Sequence, residues 1–60
     1  MNAIDISTFA HQLFEAHGAQ AIAEAAQRAV SFEKAGDAEQ AKTWRRVEAV
    51  LLEMRGPRQS

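Results

Sequence analysis

Sixty residues without a single cysteine make one domain at most, and one that neither disulfides nor thiolate-bound metals brace. A chain this short buries only about 60% of the surface its unfolded state exposes, so stability has to come from tight helix packing or from a partner. Seven Lys plus Arg against eight Asp plus Glu leave a net charge of -1, which supplies no global field toward nucleic acid or anionic lipid.

The opening residues Met1 to Asp5 lack the basic stretch and apolar run of a signal peptide, and no segment approaches the ~20 apolar residues of a membrane span. A soluble, cytoplasmic chain with no membrane attachment is expected. Hydrophobic residues make up 47% of the sequence, yet thirteen of them are Ala, which favours helix and buries little. The larger apolar set is Met1, Ile4, Ile6, Phe9, Leu13, Phe14, Ile22, Val30, Phe32, Trp44, Val47, Val50, Leu51, Leu52 and Met54. At roughly 1.5 to 3 kcal/mol per fully buried large side chain, this set barely offsets the conformational entropy of ordering the chain.

The first helix is predicted over 5–17, with Asp5 as N-cap and Asn2 as an alternative start. Ile6, Phe9, Ala10, Leu13, Phe14 and His17 fall on one face of a helix of 3.6 residues per turn. Gly18 supplies the left-handed residue that commonly ends a helix.

A second, alanine-rich helix is predicted over 19–35, with Ile22, Ala25, Ala26, Ala29 and Phe32 inward and Glu24, Gln27, Arg28, Ser31 and Lys34 in solvent. Glu24 and Arg28 have the i, i+4 spacing and order of a favourable ion pair. Gly36 ends this helix as Gly18 ends the first.

Asp37, with Gln40 three residues later, forms a variant of the capping box, so the third helix is predicted over 38–55. Gly56 and Pro57 stop it, leaving 56–60 as a flexible tail. On a helical wheel Val50, Met54, Val47, Leu51 and Trp44 cluster within about 120°, and Ala41 and Leu52 extend the arc towards 200°. One packing face needs about 100°. The excess width predicts that this helix meets its own chain and something else. The expected fold is all-α, three helices in an up-down-up order, completed by dimerisation into a helical bundle.

Gly36-Asp37, Phe32 four residues before it and Ala41 after it resemble the turn of one tetratricopeptide-type helical hairpin. The large aromatic and Leu-Gly pair of such a repeat are replaced by Ala25, Arg28 and Ala29, and there is no second copy to stack on. Through His17-Gly18, Gly36-Asp37 and Trp44-Arg45-Arg46 the chain also resembles a class of short uncharacterised bacterial all-helical proteins. That resemblance implies the helical fold and no particular activity.

His11 and His17 are the two imidazoles, and their spacing of six sets them about 120° apart around one helix, too far to share a metal. His11 with Glu15 has the i, i+4 spacing but makes only two ligands. Ser7 and Thr8 lie one turn before His11 with nothing to enclose them, and three short helices offer little room for a ligand cavity of 300 to 1,000 Å³. Neither catalysis nor a cofactor or metal is expected. The remaining reading is association: Phe9, Leu13, Phe14, Phe32, Trp44, Val47, Val50, Leu51, Leu52 and Met54 divide between core and interface, with Trp44 a candidate anchor. Val50, Met54 and Leu52 are expected to flank the patch covered by a second copy, a heterologous protein being the other possible occupant. The alternative is nucleic-acid binding by Lys42, Arg45 and Arg46 on the third helix, a basic cluster diluted by Glu39, Glu48 and Glu53.

Overall fold

The computed structural model describes residues 3–54, with side chains from Asp5 onward. Within that span the chain is three helices: α1 (Ala3–His17), α2 (Gln20–Lys34) and α3 (Ala38–Met54). The Asn2 cap, the end of the last helix at Arg55 and the 56–60 tail lie outside the described residues.

The expected start of α1 is two residues late. Asp5 sits inside the first turn instead of capping it, where its carboxylate still meets the positive end of the helix dipole. At the other end Gly18 takes φ +65°, and its N–H donates to the Phe14 carbonyl at 2.7 Å, the single bond of a left-handed cap. Ala19 brings no capping side chain to α2. The first turn is instead tightened by bonds from Ala21 N–H to the Gly18 carbonyl and Ile22 N–H to the Ala19 carbonyl, at 3.0 and 3.1 Å.

The second turn is built differently. Gly36 takes φ +83°, its N–H donates to Glu33, and Asp37 N–H reaches back to the Phe32 carbonyl at 2.8 Å. These paired bonds make a Schellman motif. Asp37 then caps α3, its Oδ1 accepting the Gln40 N–H at 3.2 Å. One residue therefore closes α2 and opens α3, which leaves no room for a loop and forces the helices antiparallel.

α3 is the central element, packed most extensively on α2 and then on α1, whereas α1 and α2 touch least. The buried positions are Ile6 and Ala10 from α1, Ala21, Ala25 and Ala29 from α2, and Ala41, Val47 and Leu51 from α3. Val47 and Leu51 are the only large side chains fully sealed from solvent among the described residues. Phe9, Leu13, Phe14, Ile22, Trp44, Val50 and Met54 pack half-buried around them. The α2 face is rotated from the expected one, since Ala21 is buried while Ile22, Ala26 and Phe32 are only half-buried.

Candidate functional site

Trp44 gathers side chains from all three helices. Its ring and that of Phe9 of α1 form a T-shaped pair with centroids 5.5 Å apart, and the Arg28 guanidinium of α2 lies 5.3 Å from the ring centroid. Both contacts suit the negative face and positive edge of an aromatic ring. Among the described residues the aromatic partner of Trp44 is Phe9, and Phe32 lies half-buried nearer the turn. The expected Glu24–Arg28 pair is replaced. Arg28 is drawn to the indole, and the Glu24 carboxylate approaches His17 Nδ1 at 3.5 Å. His17 is thus exposed at the end of α1 and faces α2, not the core stripe.

The wide apolar arc of α3 is divided inside the molecule. At about 100° per residue Val50 and Met54 fall on the side of α3 away from the Arg45–Glu33 contact with α2, and both pack half-buried on the core. They do not form the outward patch expected of them with Leu52. Leu52 stands apart, 40% exposed, and among the described residues the other large exposed hydrophobic is Val30 of α2 at 38%.

These two share a flank. The Glu33–Arg45 ion pair at 3.6 Å spans α2 and α3 on the side away from α1. At about 100° per residue, Ile22, Ala26 and Val30 project from α2 on the same side as Glu33, and Ala49 and Leu52 project from α3 with Arg45. A shallow, open depression of about 410 Å³ lies on the outer face of α2, lined by Ala26, Gln27, Val30 and Ser31. Three short helices enclose little volume, and this depression is an open one walled by a single helix. Periodicity singled out neither Val30 nor Ala26 as outward, since it placed the inner face of α2 about one residue too far along.

The basic cluster is weakened by its own neighbours. Arg45 Nη1 donates to Glu48 Oε1 at 3.1 Å while its Nε faces Glu33. The Glu48 hydrogen bond, then the charges of Glu33 and Glu48, hold the Arg45 guanidinium above its ordinary pKa. Lys42 and Arg46 are exposed and form no ion pair with a described residue. Among the described residues no group of His, Asp or Glu is placed to hold a metal, and no helix is long and apolar enough to cross a membrane. His11 and Thr8 are both exposed on the outside of α1. Comparison with known proteins finds no matching family profile, no matching curated protein and no matching solved structure.

Proposed function

We propose that this chain is a non-enzymatic, cytoplasmic interaction or regulatory module that works by protein association, pairing with a second copy of itself. The observation that carries this reading is the contrast between interior and surface. Among the described residues the interior is largely alanine, with Val47 and Leu51 alone as large, fully buried side chains, while Val30 and Leu52 remain in water. Small domains with so little large apolar burial gain stability from oligomerisation, and pairing supplies it.

Because folding and pairing are then linked, the melting temperature rises with protein concentration. Sedimentation of the full chain at micromolar concentration, with melts over a hundredfold concentration range, tests this. A dimer with a concentration-dependent melt supports the reading. A stable monomer whose melt does not move with concentration overturns it.

A further inference from the structure

Resting on that reading, we propose that the two copies pair by exchanging α1. Gly18 is the hinge: when it turns helical, α1 and α2 run on as one helix, and α1 is laid on the α2–α3 hairpin of the partner subunit. Each copy then completes the other's three-helix core. The contacts of α1 with α2 and α3 are kept in kind, made between subunits in place of within one.

The two turns of the chain differ in what opening them would cost. At the second, a straight helix would break the Asp37 N–H bond to the Phe32 carbonyl, which spans five residues, and the Asp37 cap on the Gln40 amide. The first has nothing comparable to lose. Its bond from Gly18 N–H to the Phe14 carbonyl already joins residues four apart, as in any α-helix. Ala21 and Ile22 would only move their bonds from Gly18 and Ala19 to His17 and Gly18, while Ala19 and Gln20 take the Glu15 and Ala16 carbonyls. Ala19 is helical as it stands, at φ -61° and ψ -21°, and brings no capping side chain. Gly18, at φ +65°, is the one residue between α1 and α2 that is out of helical conformation.

The packing permits the same movement. α1 rests chiefly on α3 and touches α2 least, so few contacts hold the closed turn itself, the His17–Glu24 approach at 3.5 Å among them. With Gly18 helical, 3–34 becomes a single helix about 48 Å long. At about 100° per residue the buried positions Ile6, Ala10, Ala21, Ala25 and Ala29 then fall within an arc of roughly 140°, so the apolar face of α1 continues that of α2. Once α1 has left its own α3 that face needs cover, and a second copy opened in the same way offers the matching groove. Two such helices lie antiparallel about a two-fold axis at the level of Gly18, and the exchange is made twice, as an isologous pairing requires. Arg28 stands level with Trp44, so Leu52, two turns beyond Trp44, is level with the first turn of α2. The exposed Leu52 of each copy thus comes to the junction of the two halves.

The chain has no cysteine, so spin labels attach only where one is introduced. Full-length T8C/S31C, with both sites exposed, is labelled and diluted into excess unlabelled wild type, so that only the distance within one chain is read. In the closed chain the labels sit on neighbouring antiparallel helices, within about 25 Å of each other. Along a continuous helix they separate to about 35 Å or more, and that longer distance is expected at micromolar concentration. Two hinge variants, followed by sedimentation, push the equilibrium in opposite directions. G18A, with alanine favouring the helix over the left-handed region, is expected to tighten dimerisation about tenfold or more. Insertion of Gly-Ser-Gly-Ser between Gly18 and Ala19 lets α1 fold back on its own hairpin, and is expected to weaken dimerisation about tenfold or more with helicity by circular dichroism kept.

The outcomes separate the two levels of argument. A wild-type dimer whose labels keep the shorter distance, and whose affinity neither hinge variant moves, overturns the exchange and leaves self-association standing. A wild-type chain that stays monomeric overturns both.

Discussion

Asp37 donates its backbone N–H to the Phe32 carbonyl at 2.8 Å while its side chain accepts the Gln40 amide, so the end of α2 and the start of α3 are held by one residue. The hairpin has no slack between its helices. The level at which Arg28 of α2 meets Trp44 of α3 follows from that short connection.

Loss of the Asp37 side chain removes one of these two functions and spares the other, because the bond to Phe32 is made by the backbone. Asp37→Ala is expected to cost about 1 kcal/mol, the usual worth of an N-cap. Thermal melts at fixed concentration measure it, and far-ultraviolet circular dichroism should show the helices retained.

Gly36 is constrained by its backbone and not by space. An added Cβ would meet nothing within 4 Å, yet φ is +83°. Gly36→Ala is therefore expected to cost about 1–2 kcal/mol, the ordinary penalty for a left-handed L-residue, and Gly36→Val more, because β-branching stiffens the side chain further. Equal melting temperatures for the two variants would show that steric room, not φ, governs this turn.

How much of this was legible in the residues follows from the kind of signal each leaves. Gly18, Gly36 and Asp37 were readable because caps are local: their chemistry is met by backbone groups a few residues away. Leu51 and Val47 were readable because they sit at the centre of a wide stripe. The edges of stripes were not. Val50, Met54 and Leu52 are indistinguishable as apolar residues, and only the position of α1 decides that two are covered and one is not. On α2 the run of alanines at 21, 23, 25 and 26 blurs the phase, so the burial of Ala21 over Ile22 had to come from packing. Glu24 and Arg28 have the spacing of a pair, but each instead meets a group on another helix, which spacing within one helix does not encode.

The core itself gives a sharper expectation. Leu51 is fully buried in a chain whose interior is otherwise mostly alanine. Leu51→Ala is expected to cost 2–5 kcal/mol, in the range typical of buried leucines, and that is comparable with the whole stability of so small a domain. Far-ultraviolet circular dichroism at 25 °C should show loss of most helicity.

Nucleic-acid binding is separable from association by salt. Arg45 is engaged with Glu33 and Glu48, and Lys42 and Arg46 stand on a chain of net charge -1. The chain is expected to pass through heparin at about 0.15 M salt without retention, since few phosphate contacts are available and screening is strong. Retention released only at high salt, and lost in a Lys42→Ala, Arg46→Ala double variant, would establish a phosphate-binding face in place of an idle one.

The last prediction sets Val50 against Leu52, two residues apart on α3 and both apolar. Val50 is half-buried on the side turned to α1, among Phe9, Leu13 and Met54 around the core, whereas Leu52 is 40% exposed on the opposite flank. A glutamate at position 50 would put a charge at the α1–α3 contact with no cation provided for it, at a cost of about 1–3 kcal/mol. At position 52 the same glutamate would project into water when the chain is alone. Val50→Glu is therefore expected to lower the melting temperature and helicity at every protein concentration. Leu52→Glu is expected to leave the helicity of dilute protein unchanged and to remove only the part of the melting temperature that depends on concentration. Melts of both variants at two concentrations, read beside sedimentation, distinguish damage to the fold from damage to the pairing. Equal effects at the two positions would mean that α3 does not divide its apolar surface between α1 and the outer flank.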